Sequence, residues 1–151
     1  MTTIRGRTHW CMLSRIIYSS TSLCDAAQTT ALVEHARLAN ARYEITGAIY
    51  LSADGTVLQC LEGQFDTVST LIKKIQCDSR HTRCQILDQR HISSRVFPTW
   101  SMAWLQDTPC SRHIRNVIAT QNSPPSFLDG SSVGAFFYAM AHSGELDRSN
   151  L

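Results

Sequence analysis

The sequence predicts an α+β domain in which two helices cover one face of a single sheet, followed by C-terminal helices. Three observations predict it. Runs with two-residue alternation and runs with helical periodicity follow one another in the order β-α-β-β-α-β-β. The turn signal Ala53-Asp-Gly55 joins two of the strand-like runs into a hairpin. Beyond Asp107 the strand signals stop, and two helical stretches remain that are too short to fold alone.

The first strand is Leu13-Ser-Arg-Ile-Ile-Tyr-Ser-Ser20, with Ile16 and Tyr18 on one face. Asp25 has the chemistry of an N-cap for a helix reaching about Ala41, whose inner face draws on Leu32, Ala36 and Ala39. Tyr43 to Ser52 forms the second strand. Ala53-Asp-Gly55 turns it into the third, Thr56-Val-Leu-Gln-Cys-Leu-Glu-Gly63. Asp66 then caps a second helix carrying the amphipathic set Val68, Leu71, Ile72 and Ile75. Arg83 to His91 is a fourth strand. Phe97 to Gln106 is a fifth, with Pro98 at its start, where a missing N–H is tolerated. The first six elements make the split pattern of a ferredoxin-like sheet, with the first and third strands side by side at its centre.

Ser111 to Gln121 is a weak helix through Ile114, Val117 and Ile118, and Asn122-Ser-Pro-Pro-Ser126 breaks it. Val133, Phe136, Phe137, Met140 and Ala141 form a further helical stripe that must pack on the domain or on a partner. The organisation expected is an N-terminal extension over 1–12, one domain over 13–106 and a helical extension over 107–151.

The third strand holds the residue that asks for a function. Alternation sets Val57, Gln59 and Leu61 on one face and Leu58, Cys60 and Glu62 on the other. Both faces are largely apolar, so the strand is central and Gln59 projects into covered space. A buried amide without partners costs roughly 1–3 kcal/mol per unsatisfied group. Something polar must sit against that face, either another part of the protein or a ligand, and the strand order sets Tyr18 on the neighbouring central strand.

Composition excludes several function classes. The chain has 151 residues, 43% hydrophobic and 17% charged, which is an ordinary globular composition rather than a disordered one. A net charge of +2 on dispersed basic residues gives no electrostatic footprint for nucleic acid. No apolar h-region follows Arg5 and Arg7, and the longest apolar run, Val133 to Ala141, is too short to span a bilayer, so neither a signal peptide nor a membrane segment is expected. Cys11, Cys24, Cys60, Cys77, Cys84 and Cys110 include no C-x-x-C pair and no His at a zinc-like interval. They read as reduced thiols of a cytoplasmic protein, with no metal site.

At this point the residues resemble a known family. Tyr18 in Ile-Ile-Tyr-Ser-Ser, Asn40 in Ala-Asn-Ala-Arg-Tyr-Glu-Ile-Thr-Gly47 and Gln59 in Leu-Gln-Cys-Leu-Glu-Gly resemble the BLUF domains, blue-light receptors that use FAD. Arg80-His81 and Phe97-Pro-Thr-Trp-Ser-Met102 continue the match in the same order. The resemblance spans roughly 13–106 and is similar to the short BLUF subclass, whose sensor acts on a separate protein.

The resemblance implies FAD as the cofactor, with FMN as an alternative, inserted between the two helices against the sheet. It implies that Gln59 bonds the N5/O4 edge of the flavin and the phenol of Tyr18. It further implies that light draws an electron and then a proton from Tyr18, leaving Gln59 rearranged and the flavin absorption slightly red-shifted until dark recovery. Asn40, which by itself reads equally as a C-terminal capping residue, is assigned by the resemblance to the pyrimidine edge. Leu32 and Ile75 sandwich the ring, and Arg80 and His81 lie toward the ribityl and phosphate end. Trp100 and Met102 are implied signal relays, known in the family in alternative arrangements. A regular fifth strand sets Trp100, Met102 and Trp104 on one face. Ala39 stands where some relatives carry a polar Asn or His.

The partners this implies are a flavin, a downstream protein that the sequence does not name, and further copies of the chain in a dimer or larger ring. Two other readings compete. A small ferredoxin-like enzyme of acylphosphatase type needs a phosphate-cradling loop after the first strand, where Ser19-Ser-Thr-Ser22 supplies no glycine. A light-insensitive interaction module has no use for a Tyr18–Gln59 pair.

Overall fold

The computed structural model describes residues 12–121 and 129–144. Among them the chain runs β1 (Leu13–Ser22), α1 (Ala26–Arg42), β2 (Thr46–Leu51), β3 (Thr56–Gln64), α2 (Phe65–Gln76), β4 (His81–His91), β5 (Ala103–Leu105), α3 (Pro109–Thr120) and α4 (Gly130–Ala141). The sheet order is β4-β1-β3-β2-β5, with every pairing antiparallel except β2 with β5. This is the expected ferredoxin-like order, with β1 and β3 adjacent and β3 at the centre.

Local chemistry sets most of the boundaries. Asp25 and Gln28 form a reciprocal capping box at the start of α1, which satisfies two backbone donors that the first turn leaves unpaired. Thr108 and Ser111 do the same for α3, with Pro109 in its first turn. The start of α2 departs from expectation. Its N-cap is Gln64, with no side-chain hydrogen bond, and Asp66 instead lies within the first turn, where a carboxylate suits the helix dipole. The β2–β3 contact depends on Gly47, because a Cβ there would lie 1.9 Å from the Cys60 carbonyl oxygen.

Alternation along the strands sorts side chains into two clusters. On the α1/α2 face lie Ile16, Tyr18, Ile49, Val57, Leu61 and Met102, joined by Val33, Val68 and Ile72 from the helices. On the opposite face lie Ile17, Ala48, Tyr50, Leu58, Cys60 and Leu105, covered by Val133, Phe136, Phe137 and Met140 of α4. The C-terminal stripe therefore packs on this chain's own sheet, so it supplies no argument for self-association. The aromatic rings of Tyr50, Phe136 and Phe137 meet edge to face at centroid distances of 5.0 and 5.5 Å. Gly130 lets α4 press on β4, since a Cβ there would lie 2.6 Å from the Leu87 carbonyl oxygen.

The fifth strand is shorter than the sequence suggests. Only Ala103–Leu105 pairs with β2, and Phe97 to Met102 leaves the ladder. Residues 1–11 and the breaker Asn122–Ser126 lie outside the described residues. Among the described residues no group of His, Cys, Asp and Glu could hold a metal ion, and no helix is long and apolar enough to cross a membrane.

Candidate functional site

The register places Tyr18 of β1 directly opposite Gln59 of β3, both facing the helices. The Tyr18 hydroxyl donates to Gln59 Oε1 through a short hydrogen bond. The other end of the amide, Nε2, donates to Met102 Sδ at 3.4 Å. The amide that lacked partners in the sequence thus joins a phenol and a thioether reaching it from opposite sides. All three residues are buried. Burial raises the Tyr18 phenol well above its ordinary pKa, and Cys84 and Asp78 push it the same way. At neutral pH the hydroxyl keeps its proton and acts as a donor.

Above this pair a cleft of about 320 Å³ opens between α1 and α2, which is within the range of small-molecule sites. Leu32 and Val33 of α1 face Leu71 and Ile75 of α2 across it, over a floor that includes Ile49 and Val57. Asn40 borders it in the last turn of α1. The helix ends at Arg42 with Tyr43 as its C-cap, so Asn40 is not the cap; its side chain instead donates Nδ2 to the Ser101 carbonyl at 3.0 Å. Arg80 lies at the mouth, bonded to Asp78, whose carboxyl this guanidinium holds at about 2. His81 opens β4 opposite Ser22, two residues before the strand start expected at Arg83. Its Nε2 is 2.5 Å from the Ile75 carbonyl oxygen, and its ring stands edge-on to Tyr18.

Of the residues singled out from the sequence, Tyr18, Leu32, Asn40, Gln59, Ile75, Arg80, His81 and Met102 all line this cleft. Trp100 does not. It packs against the opposite cluster, under the C-terminal helices. The shared face expected for Trp100, Met102 and Trp104 fails because the chain is irregular before Ala103, and only Met102 and Trp104 reach the cleft.

Sequence reasoning missed Ser20, Thr29 and Lys74. Ser20 was within reach of the alternation argument, being two residues from Tyr18 on the same strand. Its Oγ is a buried side-chain polar atom without a hydrogen-bond partner, on the wall of the cleft.

Residues 13–103 match a protein family described as "BLUF: Sensors of blue-light using FAD". The chain belongs to the BLUF family. BLUF domains are blue-light photosensors that bind flavin. The photoactivated adenylate cyclase subunit alpha of Euglena gracilis is 29% identical over 101 residues, which is 64% of this chain but 10% of that protein. This chain thus spans about a tenth of that relative's length. Among solved structures, BlsA in its photo-activated state superposes with a TM-score of 0.75 at 28% identity, covering 86% of this chain and 95% of BlsA. A bacterial light-regulated adenylyl cyclase superposes at 0.66 and 27% identity, over 75% of this chain and 34% of that one. BlrB, a BLUF protein in its dark state, shares the fold with a TM-score of 0.72 at 24% identity over 89% of this chain and 98% of BlrB.

The cleft fits a BLUF flavin on its own terms. Aliphatic walls on two helices suit a flat ring, and the amides of Gln59 and Asn40 suit its polar edge. Ser20 Oγ is a buried polar atom that such a ligand would satisfy. Arg80 and Lys74 at the mouth suit phosphate.

Proposed function

We propose that this chain is a blue-light switch in which Tyr18 and Gln59 are the working pair and Met102 reads the outcome. The observation that carries the reading is the continuous Tyr18–Gln59–Met102 relay at the base of the cleft. Flavin, FAD by the family description with FMN as the alternative, would be held by the walls of Leu32 and Ile75, by Asn40 and Gln59 on its polar side, and by Arg80 and His81 toward its tail. When bound it supplies blue-light absorption and an excited state able to take one electron.

The rest of the chemistry belongs to the chain. Tyr18 is the electron donor. Its raised pKa keeps the proton on the phenol at rest. Loss of one electron makes a phenol acidic, and the proton then moves along the existing hydrogen bond toward Gln59 Oε1. The electron and proton return to Tyr18, so no net oxidation remains. What remains is the amide, rearranged by rotation, tautomerisation or both.

The resting orientation satisfies both neighbours. Turned over, the amide sets its N–H₂ against the phenol and its carbonyl oxygen against a thioether that has no proton to give. A buried mismatch of roughly 1–3 kcal/mol drives the return in the dark. Met102 leads directly into β5 and then α3, which is the route to a separate downstream protein. Residues 13–106 act as the sensor and the following segment, which carries α3 and α4, as its output; a cytoplasmic protein that forms a dimer or ring is what the family resemblance implies.

Loading the purified chain with FAD tests this. The expected result is a yellow protein whose flavin absorption shifts reversibly to the red under blue light. Tyr18→Phe and Gln59→Leu should each keep the flavin and lose the shift. A colourless protein that takes up no FAD, or a normal shift in either variant, contradicts the reading.

A further inference from the structure

We propose that Arg37, which does not line the cleft, is a positioning residue that holds Met102 against Gln59 and so sets the lifetime of the switched state. The proposal rests on the photochemical reading above. The segment Trp100–Met102 precedes the β2–β5 ladder, so regular strand pairing does not fix its backbone. Three successive carbonyls are held instead. Trp100 O accepts from the Gly47 N–H at 2.9 Å, Ser101 O from Asn40 Nδ2 at 3.0 Å, and Met102 O from Arg37 Nε at 2.9 Å. Two of the three donors come from α1, and only the bond to Met102 is charge-assisted, the stronger kind.

A methionine side chain has three rotatable bonds and adapts to many surroundings. Its sulfur stays at Gln59 Nε2 only if the backbone that carries it is fixed. Arg37 is itself fixed from the solvent side, since Nη1 pairs with Glu34 Oε1 at 2.5 Å. An unbroken line therefore runs from Glu34 on the surface of α1, through Arg37 and the Met102 carbonyl, to Met102 Sδ and the amide.

This line opposes the switched state. With the carbonyl end of Gln59 turned toward Met102, relief requires the sulfur to retreat, and a backbone pinned by Arg37 prevents it. Releasing the pin lets Met102 withdraw, stabilises the turned amide and slows the return.

The full chain loaded with FAD is illuminated, and dark recovery of the red shift is timed. If the wild-type protein shows no shift, the photochemical reading itself falls, whatever Arg37 does. Given that shift, Arg37→Met should retain flavin and the amplitude of the shift but recover about tenfold more slowly, the weight of one charge-assisted hydrogen bond. Arg37→Lys, which keeps a cationic donor, should return the rate to within about threefold of wild type. In a Met102→Leu background, Arg37→Met should change recovery by less than about twofold, because the two residues act as one unit. Wild-type recovery in Arg37→Met, or a full tenfold effect with Met102 already replaced, overturns the proposal. If Arg37→Met fails to hold flavin, Glu34→Gln loosens the same guanidinium from an exposed position. Slower recovery in that variant supports the proposal, and unchanged recovery overturns it.

Discussion

The two faces of the sheet carry similar numbers of apolar residues and are finished in opposite ways. The face toward α4 is sealed. Phe136, Phe137, Val133 and Met140 close over Tyr50, Leu58 and Leu105 with nearly no exposure, and its polar atoms are bonded within the protein. Glu62 at its margin accepts from the Val96 and Phe97 backbone N–H groups, and Asp88 is paired with Arg15. The face toward α1 and α2 is left open along a cleft and contains a buried hydroxyl without a partner. The sealed face is packed throughout, whereas the open one leaves room beside the Tyr18–Gln59 pair for side chains to rearrange. Dense packing resists small displacements, so a switch of a few atoms must be placed where packing is incomplete.

That division can be broken by experiment. The largest effect is expected for Gln59→Leu, which should abolish the light-induced red shift and cost about 1–3 kcal/mol in urea unfolding, because the buried Tyr18 hydroxyl loses its acceptor. A loss well beyond that range would show that the open face also holds the fold together. Next is Phe136→Ala, which removes a fully buried ring from the sealed face and should cost about 3–5 kcal/mol in the same unfolding measurement. The red-shift amplitude of the remaining folded protein should be unchanged. Loss of the shift at full flavin occupancy would mean that the two faces are not separable.

Asp25→Ala removes one half of the capping box of α1 and should cost about 1 kcal/mol. Because α1 forms one wall of the cleft, flavin should also dissociate faster, as measured by release of flavin fluorescence. The smallest effect concerns Glu62. Burial raises its carboxyl above the ordinary value, although the backbone N–H groups of Val96 and Phe97 pull the other way. Its folded form therefore favours the proton, and this contribution to stability is complete below the ordinary carboxyl range and lost as pH rises through the raised value. Glu62→Gln lacks that titration. Its stability relative to wild type should improve between pH 4 and pH 7, and a difference that is flat with pH would contradict this sign.

Much of the open face was legible before any coordinates. Two-residue alternation on two strands, with the sheet order of the split β-α-β pattern, was enough to bring Tyr18 and Gln59 together. The amphipathic step of Val68, Leu71, Ile72 and Ile75 oriented α2 correctly, and Val68 and Ile72 are its buried residues. Trp100 was misplaced because alternation holds only inside a ladder, and nothing in Phe97-Pro-Thr-Trp-Ser-Met102 announces that its carbonyls bond to the Asn40 and Arg37 side chains and to a single β2 N–H, that of Gly47, instead of in a regular ladder. The sealed face was half legible. The stripe through Phe136 and Phe137 showed that it needed cover, but periodicity describes one surface and is silent about the other. Arg37 was invisible for a related reason: an arginine on a helix flank is usually solvated, and its bond to Met102 spans 65 positions of sequence.

Gly47 carries a consequence for inheritance. Its missing side chain lets the Cys60 carbonyl approach to where a Cβ would stand, and its N–H holds the Trp100 carbonyl. One site therefore couples the spacing of two strands to the course of the segment beside the amide. Alanine there would push β2 and β3 apart next to Gln59 and disturb the anchor of Trp100 in the same step. At this site any side chain meets the Cys60 carbonyl, so no substitution is a small step.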